Sequence, residues 1–67
     1  MNAVSTPVAA VDVEDLVACE ATDGRLYSVV SIDTLSGLVA LTLGWIDAGV
    51  IDMRVVVLDI TDDVLVA

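Results

Sequence analysis

The sequence has no histidine, no lysine and no phenylalanine, and it has one cysteine and one proline. Each absence closes a route. With no His and with Cys19 alone, a zinc site of His and Cys ligands cannot be assembled. With neither His nor Lys, no Ser has a base partner and Cys19 has no imidazole to activate it, so nucleophilic catalysis lacks its second member. A single Cys forms no intrachain disulfide. The only cations are Arg25 and Arg54, set against nine Asp and two Glu for a net charge of −9. That balance opposes direct binding to nucleic acid, where cations must replace phosphate counterions. It also opposes an anionic membrane surface.

Long apolar runs are missing too. The longest stretch without charge is Thr34–Ile46, 13 residues between Asp33 and Asp47, whereas a membrane-spanning helix needs ~20. The first residues lack a basic region and Pro7 interrupts their apolar stretch, so no signal peptide is expected. A virion or a host cytoplasm is the compartment this favours.

What is present is apolar bulk. Hydrophobic residues make up 58% of the 67 positions, against a norm of ~45–50%. A domain this short buries only ~60% of the surface its unfolded chain exposes. It ordinarily needs a disulfide, a metal or a partner subunit to hold it. Partner chains are the remaining means, and some Val, Leu and Ile must then face outward as an interface. The charge keeps such a chain soluble, since like-charged molecules repel.

The local signals are those of strands and turns. Asp23-Gly24 lies between the apolar runs Leu16–Thr22 and Arg25–Ile32, a hairpin signal because both central residues of a type I′ turn need positive φ. In Asp12–Ala21, Val13, Leu16 and Val17 fit a helical spacing. A hairpin at Asp23 requires a strand from Leu16, with the acids before it in a turn. In Arg25–Ile32, alternation puts Leu26, Ser28, Val30 and Ile32 on one face and Arg25, Tyr27, Val29 and Ser31 on the other. Asp33-Thr34-Leu35-Ser36-Gly37 reads as a turn. In Leu38–Ile46, Val39, Leu41, Leu43 and Trp45 share a face, and Gly44 suggests a bulge or bend. Asp47-Ala48-Gly49 reads as a short loop. Val50–Leu58 is apolar on both faces around Val55-Val56-Val57-Leu58, as in a covered strand. Asp59–Asp63 suits a 3-10 turn and Val64–Val66 a last strand. Residues 1–11 read as an extended N-terminal arm, and 12–67 as one small domain.

A hairpin, a second connected pair, a one-turn helix at DITDD and a final strand together resemble the SH3-like small β-barrels, of the KOW and Tudor type. The resemblance covers residues 16–66 and lies at the level of strand order. It implies an all-β, five-stranded barrel with a short 3-10 turn before the last strand. An OB-like barrel is the other reading. The aromatic clusters and basic loops with which such domains bind proline-rich, methylated or RNA ligands are missing, so those ligand classes are not carried over.

Candidate sites are few. Asp59, Asp62 and Asp63 form an acidic surface; a hard cation wants several carboxylates, but the spacing lacks the EF-hand loop pattern, and a solvated turn with Asp62 capping backbone N–H groups is the plainer reading. Trp45 shares a face with Val39, Leu41 and Leu43 and reads as core. Tyr27, Arg25, Val56 and Leu58 are the interface candidates, because Tyr and Arg are enriched in hot spots and Val56 stands for the outward apolar side of its strand. No cofactor motif is found, and so short a barrel leaves little room for a substrate cleft of ~300 Å³. The expected function is a non-enzymatic structural subunit in a larger, symmetric assembly with protein partners or further copies of itself. A phage or virus particle component (head decoration, head–tail or tail) is its concrete form. The alternative is an acidic, DNA-mimicking inhibitor of a basic host protein.

Overall fold

Alternation with period two builds strands with one buried face, and Leu38–Ile46 carries it most plainly, with Val39, Leu41, Leu43 and Trp45 on one side and Ala40, Thr42 and Gly44 on the other. The computed structural model describes residues 3–47 and 49–67. Among them are six strands: β1 Val4–Pro7, β2 Leu16–Ala18, β3 Tyr27–Leu35, β4 Leu38–Asp47, β5 Val50–Asp59 and β6 Asp63–Val66. They form one antiparallel sheet in the order β1-β6-β2-β3-β4-β5, which is not closed. The all-β class is as expected, but the strand count is six, and β1 and β5 are left as edges.

The core lies on the face that β4 presents through Val39, Leu41 and Leu43. Val8, Val11, Val17, Tyr27, Val29, Val56 and Val64 are buried with them. Trp45 is half-buried against this cluster, on the expected side.

Within the expected N-terminal arm over 1–11, Val4–Pro7 is a strand of the sheet. β1 pairs with β6 from Val4↔Val66 to Pro7↔Asp63. A 3-10 turn, Val8–Ala10, comes next, and Val8 and Val11 enter the core. The reason is that β6 pairs β2 on one side only and would otherwise leave its other edge open. Pro7 ends an edge strand, where a missing N–H is tolerated. Met1 and Asn2 lie outside the described residues.

Asp12–Asp15 is a turn, closed by the Asp15 N–H on the Asp12 carbonyl (3.2 Å) and by the Asp12 N–H on Asp15 Oδ2 (2.9 Å). The strand expected from Leu16 is present but stops at Ala18. A second 3-10 turn, Glu20–Thr22, fills the space up to Asp23. The buried Thr22 hydroxyl holds that turn. It accepts the Cys19 N–H and donates to the Cys19 carbonyl, both at 3.0 Å.

Asp23 and Gly24 have φ of 54° and 76°, as the type I′ reading requires. The Arg25 N–H closes the turn on the Thr22 carbonyl at 3.0 Å. The ladder of β2 and β3 does not run up to it, for the last pair is Val17↔Tyr27. The two-residue hairpin loop is Ser36-Gly37, with φ of 50° and 80° between the paired Leu35 and Leu38. β3 therefore extends through Asp33, Thr34 and Leu35, the first three residues of the stretch expected to be a turn. A Cβ on Gly24 would meet nothing within 4 Å, so Gly24→Val suffers backbone strain alone. It should destabilise by about 1–3 kcal/mol in a urea titration, while Gly24→Asn, which tolerates this region, should be nearly neutral.

Two expectations about strand faces change. The register of β3 on β4 shifts between Val29 and Ser31, a bulge at Val30. An inserted residue reverses the phase of the strand beyond it. Tyr27 and Val29 therefore face the core before the bulge, and Ile32 packs against it after the bulge. Gly44 is not the bulge; β4 and β5 pair without a break from Leu38↔Asp59 to Asp47↔Val50. A Cβ there would lie 3.1 Å from Met53 Sδ and 3.1 Å from Val30 Cγ2. The missing side chain makes room on the outer face for those two residues. Ala48 of the Asp47-Ala48-Gly49 loop lies outside the described residues; Gly49 has φ of 81°.

The turn before β6 is one hydrogen-bonded β-turn, not a 3-10 turn. The Asp62 N–H donates to the Asp59 carbonyl at 2.9 Å. Asp59 Oδ1 takes both the N–H and the hydroxyl of Thr61, at 2.9 and 2.7 Å. A side-chain turn of this kind competes with a continued helical turn.

Candidate functional site

β5 carries its polar and apolar residues on the opposite faces from those a solvated outer side would demand. Asp52, Arg54, Val56 and Leu58 lie opposite Trp45, Leu43, Leu41 and Val39, on the core side. Ile51, Met53, Val55 and Val57 point the other way and are 65, 51, 67 and 60% exposed. On β4, the small residues Gly44, Thr42 and Ala40 stand opposite Met53, Val55 and Val57. The result is an apolar outer face along a ten-residue edge strand.

At the end of the core side, both arginines and both aromatics meet. Tyr27, 1% exposed, donates its hydroxyl to Asp52 Oδ2 at 2.9 Å. Arg54 Nη2 lies 3.3 Å from the same oxygen. Arg54 Nη1 donates to the Ala21 carbonyl at 2.9 Å. Its guanidinium sits 5.4 Å from the Tyr27 ring centre, and that of Arg25 sits 5.3 Å from the Trp45 ring. The two rings are tilted at 51° with centres 5.9 Å apart. Cations over ring faces and tilted ring pairs are both attractive arrangements. This cluster ties β5 to the loop after β2. With each polar group facing another, it is built as a brace.

The hydrogen bonds from Tyr27 and then Arg54 hold the Asp52 carboxyl below the ordinary aspartate range. Burial, and after it the bond to Asp52, pushes the Tyr27 hydroxyl up. The Thr61 N–H and hydroxyl likewise hold Asp59 down. A carboxyl with a depressed folded value contributes stability above its unfolded value, near 3.8, and loses it as pH falls through the folded value. Asp52→Asn should therefore flatten the loss of stability between pH 4 and lower values, relative to the unaltered chain. Urea midpoints at stepped pH check this, and equal slopes in both proteins would remove Asp52 as a cause.

The interface candidates are placed differently from expectation. Tyr27 is buried, Val56 is in the core at 7% exposed, and Leu58 packs against the core. Arg25 alone is exposed, lying over Trp45. The residues that form the outward apolar ladder are the odd-numbered ones between Ile51 and Val57. Their two-residue spacing was visible, but the phase depends on how Asp47 and Val50 pair across the loop. Asp59, Asp62 and Asp63 serve separate partners. Asp62 Oδ2 accepts the Asp59 N–H at 3.0 Å, and Asp63 Oδ2 accepts the Ser5 hydroxyl at 3.4 Å. No group of three possible metal ligands occurs among the described residues.

Two open grooves flank the 3-10 turn Glu20–Thr22. One, of about 490 Å³, separates Cys19, Glu20 and Ala21 from Val56, Val57 and Leu58 of β5. The other, of about 360 Å³, lies over Ser5, Ala18 and Asp63. Both exceed the room anticipated for so short a chain. Comparison of the chain with protein-family models, with curated proteins and with solved structures finds no match in any of the three.

Proposed function

We propose that this chain is a non-enzymatic structural subunit that packs into a larger assembly through the outer face of β4 and β5. The observation that carries this reading is the exposed row Ile51, Met53, Val55 and Val57. Contiguous apolar surface of this kind marks an interaction site, and a small domain without disulfide or metal needs the added burial. A symmetric phage or virus particle, where one small subunit recurs many times, is the concrete setting we propose from the composition. The SH3-like kinship is part of the same proposal. In support, β6 returns beside β2, so that residues 16–66 run in the order β6-β2-β3-β4-β5. The sheet is open between β5 and the Cys19–Ala21 segment, where the Arg54 side chain reaches the Ala21 carbonyl.

The test is sedimentation of the purified chain across concentration and salt. Apolar association between chains of charge −9 should hold or strengthen as salt screens their repulsion. A chain that stays monomeric, yet binds a basic protein with an affinity that falls steeply with salt, would instead be the acidic inhibitor.

A further inference from the structure

β5 is a long strand on a free edge. Among the described residues only β4 pairs with it in the sheet, and alternate residues of an antiparallel edge strand direct their N–H and C=O groups away from the partner. Sheets ordinarily blunt such an edge with Pro, Lys, a bulge or a very short strand. The opposite edge, β1, is four residues long and ends in Pro7. β5 has ten residues, no Pro, no Lys, no Gly and an unbroken register, and its two inward charges, Asp52 and Arg54, are of opposite sign.

Its sequence also complements itself in one antiparallel register. When two copies of β5 cross at Met53, Asp52 of each lies opposite Arg54 of the other. Ile51 then lies opposite Val55, and the two Met53 side chains meet on the outer face. Opposite charges across a ladder attract and like charges repel. Crossing at Arg54 or Asp52 sets like charges face to face, and crossing at Val55 sets Ile51 against Asp59. Asp52 and Arg54 keep 34% and 39% of their side-chain surface exposed, so each has surface left for a second partner. The Met53 crossing pairs residues 50–56 of each copy, so it meets the groove shared with Cys19, Glu20 and Ala21 at Val56 and leaves Val57 and Leu58 outside the paired segment.

We infer that a second copy of this chain adds to the β5 edge antiparallel, crossing at Met53, to make a continuous two-copy sheet. This rests on the subunit reading above and names its first contact. Both outer faces then join into one apolar surface twice as wide, available for further packing.

The experiment places single cysteines on β5 in a Cys19→Ser background and treats the protein with an oxidant and with a short bis-maleimide. Met53→Cys should cross-link to a dimer. Val57→Cys should not, since its two copies lie about 27 Å apart at ~3.4 Å per residue. Met53→Lys, which sets two ammonium groups opposite each other at an exposed site, should stay folded by circular dichroism and lose the dimer in sedimentation. An oligomer that persists in Met53→Lys, or that cross-links through Val57 and not Met53, overturns this crossing while leaving the subunit reading intact. A wild-type chain that remains monomeric at every concentration and salt removes both.

Discussion

Val56→Asp is expected to unfold the chain, and Val55→Asp is expected to leave it folded and to dissolve its assembly. The two residues are neighbours on β5 with opposite surroundings. Val56 is 7% exposed, opposite Leu41, within the cluster that includes Val17, Val29 and Val64. A carboxylate there loses its water among apolar neighbours, and the loss should exceed about 3 kcal/mol. A chain of 67 residues has on the order of 3–10 kcal/mol of stability in all. Val55 is 67% exposed and stands opposite Thr42 on the outer face. Aspartate there forfeits strand preference worth up to about 1 kcal/mol and adds charge to the face that copies would share. Far-UV circular dichroism and Trp45 fluorescence read the fold, and sedimentation reads the assembly. If Val56→Asp folds like the unaltered chain, the assignment of faces on β5 is reversed.

Leu43→Ala carries the second large effect. Leu43 is 0% exposed and lies between Val29 on β3 and Arg54 on β5, at the centre of the inner face. Truncating a buried Leu to Ala removes its transfer energy and leaves a cavity, together about 2–5 kcal/mol. On a domain of this size that is most of the stability, so a urea midpoint near zero is expected. Leu43→Met, which conserves volume, should lose less than about 1.5 kcal/mol. A midpoint for Leu43→Ala close to that of the unaltered chain would place the core elsewhere. Leu41, on the same face and 1% exposed, should obey the same ordering.

Strand class, the apolar face of β4 and the positive φ at Asp23 and Gly24 were legible because each depends on a few adjacent residues. Alternation in Leu38–Ile46 names Val39, Leu41, Leu43 and Trp45 as one side whatever the rest of the chain does. Asp-Gly favours positive φ for reasons internal to two residues. The acidic turn before Leu16 and the backbone-capping use of Asp62 are local in the same sense. The candidate site was less legible. On β5 the polar residues Asp52 and Arg54 face Tyr27 and Trp45, where hydrogen bonds and ring faces satisfy them. No neighbour in sequence announces that arrangement.

The amino-acid sequence by itself determined that this protein is an acidic chain of short strands whose apolar residues exceed what its own core can bury, and that it must do without disulfide or His–Cys zinc. Those properties come from composition and from period-two patterning alone. Tertiary structure decided the rest. One inserted residue at Val30 reversed the phase of β3, and pairing with β6 drew Val4–Pro7 into the sheet. The pairing of Asp47 with Val50 turned Ile51, Met53, Val55 and Val57 outward. The physical reason is that a strand has two equivalent faces, and which of them meets water is set by register against a partner strand distant in sequence.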